Sequence, residues 1–269
     1  MDGRLTLAWI ARGTSPVDWC EDNYTVSPHI AEFVNTVSNV LFLFVPAAYS
    51  KFWTSYAVHV SREIHLIWVF FTIIGISSAY FHATLSLLGQ LLDELSILWL
   101  LMVSYALYTP VRHRPYPLRS KPALYRFVFV FLGIFTTAFA FIKPEINQYA
   151  LFVAGAPAVW MLTKEVRLCK DTKVGWLGKI TLLMLAASAI AWVSDRFLCG
   201  VWRGLNMPVL HGIWHILIFF ASYKTQVLFC YLYAKQDVPQ SKPDLRYWPA
   251  KTWGLPYIYC KSNTANKCP

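Results

Sequence analysis

Seven apolar runs, each long enough to cross a bilayer as a helix, fill most of this chain, near 32–54, 64–86, 89–108, 124–142, 147–165, 174–196 and 210–234. About 20 apolar residues span the hydrocarbon core as a helix. In lipid, only structures that satisfy every backbone polar group internally persist. The pattern predicts an all-α membrane protein with seven transmembrane helices. Only 14% of the residues are charged, against about 25% in ordinary soluble domains. The run at 147–165 contains Pro157, which a membrane helix tolerates when its neighbours satisfy the freed carbonyl. With no repeats or low-complexity tracts, the reading is a segment 1–31, a seven-helix domain 32–234 and a tail 235–269. The opening "MDGRLTLAWIARG" has too short an apolar core for a cleavable signal, so the first span is expected to act as the insertion signal.

A net charge of +10 raises nucleic acid as a partner, but no polar domain carries a basic cluster interleaved with aromatics. Topology explains the charge better. Lys51, Arg62, Arg112, Arg114, Arg119, Lys121, Arg126, Lys164, Arg167, Lys170, Lys173, Lys179 and six basic tail residues fall on one side, eighteen in all. Arg4, Arg12, Lys143, Arg196 and Arg203, five in all, fall on the other. The positive-inside rule then puts the N-terminus in the lumen and the C-terminus in the cytosol. Lys224 lies inside the seventh run, with no role that the sequence assigns.

This orientation gathers ionisable residues in one leaflet. "GISSAYFHATLSLLGQLLDEL" sets His82 near the lumenal end of the second span and Asp93 at matching depth at the start of the third. "HGIWH" opens the seventh span and puts His211 and His215 four apart, on one helical face. A lone intramembrane histidine usually serves helix–helix hydrogen bonding, but three converging with an aspartate favour a zinc site with one open position. His29, His59, His65 and His113 lie outside this set and are expected to be solvated. Ser78 shares the His82 face; it bonds back to its own helix or, beside a metal, stabilises an oxyanion. Glu94 projects about 100° from Asp93 and is read as a supporting or lumen-facing residue. "DWCEDN" gathers hard oxygen donors, as calcium requires, but without the EF-hand spacing it reads on its own as a solvated acidic cap. Asn23-Tyr24-Thr25 is a sequon, too near the membrane to be a good acceptor. Cys20 and Cys199 fall on the oxidising side; Cys169, Cys260 and Cys268 fall on the reducing one, and Cys230 lies within the last span.

"VDWCEDNYT", "AEFVNTVSNV", "YFHATLSLLGQLLDEL", "WVSDRFLC" and "LHGIWHIL" together resemble the alkaline ceramidases, types 1 and 2 above all, from about Val17 to Tyr257. The resemblance implies an intramembrane zinc amidase that splits ceramide into sphingosine and a fatty acid, resident in the endoplasmic reticulum or Golgi with its active site toward the lumen. By the same resemblance His82, His211 and His215 are the zinc ligands and Ser78 and Asp93 the catalytic pair. Calcium would be held by Asp18, the Trp19 carbonyl, Glu21, Asn23 and Glu32, and Cys20 would be bridged to Cys199. On this reading Glu32 serves calcium and leaves the zinc site largely independent of it. Ceramide is the expected partner, with no obligate protein partner. The rival is a receptor of the adiponectin type, which shares seven helices and three zinc-binding histidines. Its zinc lies toward the cytosol, behind an extended cytosolic N-terminal domain, whereas this chain has a short N-terminal segment on the opposite side.

Overall fold

The computed structural model describes residues 9–261; Arg4 and Cys268, both placed by the topology above, lie outside them. The first span, α1 (Phe33–His59), is broken where a continuous helix was expected. It is α-helical over Phe33–Ser38, Val40–Tyr49 and Thr54–His59, with a 3-10 turn at Ser50–Trp53. Asn39 causes the first break. Its side-chain amide donates to the Asn35 carbonyl at 2.9 Å, and its backbone N–H turns to Thr36 instead. This is the competition with the helix ladder that short amide side chains create.

Beyond α1 the helices are α2 (Ile64–Thr84), α3 (Leu87–Tyr108), α4 (Pro122–Ala140), α5 (Asn147–Leu168), α6 (Thr172–Phe197) and α7 (Leu210–Asp237), with a short helix Cys199–Gly204 between the last two. Six of these are long and apolar enough to cross a membrane: α1, α2, α3, α4, α6 and α7. The fifth expected span is a 22-residue helix but falls outside that set, because Asn147, Gln148, Lys164, Glu165 and Arg167 make both of its ends polar. It packs against α3 and α6 within the bundle.

Local chemistry fixes several helix ends. Asp171 caps α6 through Lys173 N and Val174 N, and Ser86 caps α3 through Gly89 N at 3.1 Å, each satisfying N–H groups that a helix start leaves unpaired. Between α2 and α3 the chain reverses in two residues. Leu85 adopts a left-handed conformation with φ of +48°, a strained state for a residue with a Cβ. The surroundings hold it there, because the N-terminal segment lies across the end of α2. Glu32 N donates to His82 O, Ala31 N to Ala83 O, Gly13 N to Thr84 O and Ser15 N to Leu85 O, at 2.9–3.1 Å. Carbonyls that a helix C-terminus leaves unpaired are thus satisfied by the segment that also carries the acidic residues. The Cys20–Cys199 disulfide ties that segment to the short helix after α6.

The main core is aromatic, centred on Phe42, Trp53, Trp68, Phe71, Phe219 and Tyr223, and a smaller cluster of Val17, Trp19, Ala31, Phe81, Leu85 and Trp192 lies at the His82 end. Phe127, Phe131, Phe135 and Phe139, four apart on α4, are exposed, as a lipid-facing row would be. The tail is more than a solvated extension. Strands β1 (Asp244–Pro249) and β2 (Gly254–Tyr259) pair antiparallel, Asp244 opposite Tyr259, and Tyr223 anchors β2 by donating to Pro256 O at 2.6 Å. Free Cys230 and Cys260 are buried and Cys169 is half-buried. Lys224 is half-buried, its Nζ 3.2 Å from Met184 Sδ. Of the histidines expected to be solvated, His29 and His65 are exposed and His59 is half-buried. The side chain of His113 is instead buried and pairs with Glu165, which also takes Arg112. Burial lowers the His113 imidazole to about 4.

Close approach of α1 to α2 depends on Gly75, where a Cβ would lie 2.7 Å from Phe42 Cβ. Gly-to-Ala in a helix interior gains up to about 1 kcal/mol of propensity, whereas overpacking costs about 1–3 kcal/mol, so the clash decides the sign. Gly75→Ala should therefore lower the thermal midpoint. Gly175→Ala, whose Cβ meets nothing within 4 Å, should raise it or leave it unchanged; scanning fluorimetry of the two solubilised variants checks both.

Candidate metal centre

Two helices deliver the three histidines. His82 stands two residues before the end of α2, and His211 and His215 occupy the first two turns of α7. The first turn of α7 reaches this depth because Gly212 faces α1, where a Cβ would come within 2.9 Å of Val34. The three rings are at most 2% exposed. One ligand atom from each lies within 4.8 Å of the other two, the single such group of three His, Cys, Asp or Glu among the described residues.

Partners behind the rings fix which nitrogen faces inward. His82 Nδ1–H donates to Glu32 Oε2 at 2.5 Å, which leaves Nε2 as a buried lone pair with no partner. Ser38 Oγ donates to Asn35 O at 2.9 Å and lies 2.7 Å from His215 Nδ1. With its own hydrogen spent, Ser38 accepts the Nδ1–H and leaves His215 Nε2 as acceptor. His211 is held by stacking, with Trp19 at 3.6 Å and Trp214 at 4.8 Å between centroids, and its Nδ1 is buried without a partner. The backbone N–H of His211 donates to Asp195 Oδ1, while Asp195 Oδ2 accepts from Cys20 N. A hydrogen-bond partner behind a ligating imidazole is the usual way a tautomer is set for a metal, and His82 and His215 each have one. Orphaned, inward-facing imidazole nitrogens in a dry pocket fit a zinc-type cation.

Ser78 and Asp93 join the same place. Ser78 Oγ is 3.5 Å from His215 Nε2 and lies near the Asp93 side chain. Both border a cavity of about 320 Å³ that also takes in His211, His215, Trp19 and Glu94. From there the cavity runs between apolar walls such as Phe42, Phe71 and Phe229 as far as Thr109. Asp93 and Thr109 are sixteen residues apart along α3, about 24 Å at the helical rise. Glu94, read from sequence as a supporting or lumen-facing residue, is buried on this cavity.

The acidic segment converges as well, with its oxygens partly engaged. Glu21 accepts the backbone N–H of Val34 and Asn35 at 2.6 and 2.9 Å and so caps α1. Glu32 Oε1 accepts Trp19 N and its Oε2 accepts Asn35 Nδ2 beside His82. Asn23 Nδ2 donates to both Asp18 oxygens. Burial, aided by the neighbouring Glu32, raises the Asp18 and Glu21 carboxyls above their ordinary values. Crowded, desolvated carboxylates are the hard-oxygen chemistry a calcium ion relieves. The expected separation of Glu32 from the histidine site does not hold, since one carboxylate touches both. Glu32, Ser38 and Asp195 as partners of the histidine-bearing elements were missed from sequence. The signals were the blocks "AEFVNTVSNV", which holds Glu32 and Ser38, and "WVSDRFLC", which holds Asp195.

Comparison with known proteins points to one family along most of the chain. Residues 11–259 match the family model described as Ceramidase. The chain is 41% identical over 256 residues to the alkaline ceramidase of Drosophila melanogaster, covering 94% of this chain and 90% of that one. It is 36% identical over 248 residues to alkaline ceramidase 1 of Homo sapiens, with 91% and 94% covered. It is also 28% identical over 254 residues to the alkaline ceramidase of Caenorhabditis elegans, with 91% and 93% covered.

A cation held by three imidazoles depends on each of them. His215→Ala should abolish stoichiometric zinc in the purified protein while secondary structure by circular dichroism stays as in wild type; retained zinc would contradict the assignment of this centre.

Proposed function

The chain belongs to the ceramidase family and is a ceramidase enzyme, and from this premise we propose that it hydrolyses the amide of ceramide to sphingosine and a free fatty acid within the membrane, at the three-histidine centre. The observation that carries the reading is the convergence of His82, His211, His215, Ser78 and Asp93 at one end of a long apolar cavity. His82, His211 and His215 would hold zinc. When bound, zinc lowers the pKa of a water toward about 7 and polarises a carbonyl.

The remaining steps belong to the chain. Asp93 takes the proton of the attacking water and delivers it to the departing sphingosine nitrogen, the shuttle an amide needs because its amine leaves poorly. The Ser78 hydroxyl, held beside Asp93, turns to donate to the oxyanion of the tetrahedral intermediate. Glu32 and Ser38 keep the His82 and His215 lone pairs pointing inward. The apolar walls accommodate alkyl chains and exclude bulk water from the reacting amide.

The same reading puts α5 in the membrane as the seventh span, since its residues Leu151, Phe152 and Val159 line the cavity. The charge asymmetry favours a lumenal N-terminus and a cytosolic C-terminus, hence a multi-pass protein of the endoplasmic reticulum or Golgi with the centre toward the lumen. Calcium would sit on the acidic segment, with Asp18, the Trp19 carbonyl, Glu21, Asn23 and Glu32 as the donor set. Its role there is to neutralise crowded carboxylates and hold the segment on α2.

Asp93→Asn separates proton transfer from metal binding, because the amide keeps the shape but takes up no proton. The variant should retain zinc and fold yet lose turnover on ceramide by roughly 10²–10⁴-fold, the range for a positioned acid–base group. Near-normal hydrolysis by this variant would remove Asp93 from the mechanism. No hydrolysis by zinc-loaded wild type, across ceramides of several chain lengths, would contradict the functional reading itself.

A further inference from the structure

Next to Asp93 the cavity carries polar groups that the hydrolysis leaves without a task. Glu94 on α3 and Gln148 on α5 are 8% and 5% exposed, and both line the cavity. Their orientation is fixed from behind. Ser15 Oγ donates to Gln90 Oε1 at 2.9 Å; Gln90 Nε2 in turn donates to Glu94 Oε1 at 3.1 Å and to Pro144 O at 3.0 Å. Asn147 approaches the same carboxyl. Gln148 Nε2 donates to Glu145 O at 3.2 Å. With these bonds made, Glu94 Oε2 and Gln148 Oε1 are buried without a hydrogen-bond partner. Buried oxygens left unpaired are rare and costly. Two on one cavity, each held rigidly by its other end, are the arrangement expected where a ligand brings the missing hydrogens.

We propose that Glu94 and Gln148 form a hydroxyl-recognition subsite for the sphingoid headgroup, which sets the amide against Asp93 and Ser78. The inference rests on the ceramide reading above and names the part of the substrate that this end of the cavity holds. A hydroxyl is neutral and both donates and accepts, so it suits an apolar cavity and satisfies a carboxyl in either ionisation state. Ceramide carries hydroxyls on the two carbons flanking the one that bears the amide nitrogen. A hydrogen donor therefore lies one carbon away from the carbon whose nitrogen Asp93 must protonate. Glu94 follows Asp93 directly and projects about 100° away around α3. It is thus placed for the neighbouring group rather than for the reacting nitrogen. Glu94 acts here as a specificity and positioning residue.

The test measures kcat and KM of wild type and Glu94→Ala on three substrates matched in chain length: ceramide, 1-deoxyceramide and 3-deoxyceramide. Wild type should lose about 10-fold or more in kcat/KM on the analogue that lacks the bound hydroxyl, because a site built to bond a hydroxyl rejects the substrate without it. Which analogue suffers identifies the primary or the secondary hydroxyl. Glu94→Ala should lose a similar factor on ceramide but much less on that analogue, so the two losses are not additive. Gln148→Leu should show the same non-additivity and serves independently should Glu94→Ala fold poorly. Equal proportional loss on all three substrates, with zinc content retained, would show a merely structural role and overturn the proposal. Indifference of wild type to both hydroxyls would overturn it too. Loss of the ceramide reading would look different, as absence of hydrolysis by wild type on all three substrates.

Discussion

One buried hydrogen bond organises the centre, from His82 Nδ1 to Glu32 Oε2 between segments fifty residues apart. It fixes the tautomer of His82 and aims its free nitrogen at His211 and His215. The same carboxylate accepts Trp19 N–H through its other oxygen, and the Trp19 ring stacks on His211. Two of the three rings are therefore positioned through Glu32. A carboxylate with 0% exposure is tolerated only when it is well hydrogen-bonded, since breaking a buried pair is strongly destabilising. His82, Asn35 and Trp19 supply three bonds to it. The acidic segment and the histidine centre are consequently one unit, and a cation bound by the segment would act on the centre through this shared residue.

The site stands where α2 ends because that end offers both a histidine and a row of unpaired carbonyls. The segment from Gly13 to Glu32 covers those carbonyls with its own N–H groups, which brings Glu32 to His82. The disulfide to Cys199 and the Asp195 bonds to Cys20 and His211 draw the beginning of α7 to the same place. Below this polar lid the walls are apolar, so a water-insoluble amide can stay among the helices while its head meets the polar residues. The Glu94–Gln148 pair extends the polar region along the cavity wall and adds discrimination to reactivity.

Much of this was legible in the sequence, and the parts that were not share a cause. The four-residue spacing of His211 and His215, with His82 and Asp93 at matched depth in adjacent spans, follows from helical period and membrane thickness. Both are local rules, and the structure brings those residues together. Glu32 and Ser38 as partners of His82 and His215 depend on how α1 lies against α2 and α7, which no local period encodes. The pairing of His113 with Glu165 was hidden for the same reason: a histidine in a basic loop reads as solvated until α5 supplies its carboxylate. The break in α1 turns on where the Asn39 amide points, and α5 carries a weak span signal because its ends are polar while its middle faces a cavity. The tail hairpin was obscured by its length, though Tyr247, Trp248, Tyr257, Ile258 and Tyr259 are strand formers. The Cys20–Cys199 bond was foreseen only through family resemblance.

The central claim, that Glu32 sets up the metal centre through His82, is tested most directly by the zinc affinity of Glu32→Gln, measured by chelator competition in calcium-free buffer. Glutamine keeps the volume of the side chain but accepts the Nδ1–H as a neutral amide. Loss of a partner behind a ligating histidine weakens metal binding by about 10–100-fold, and that is the result the account predicts. Zinc affinity equal to wild type would mean that His82 is oriented without Glu32, and would contradict the account.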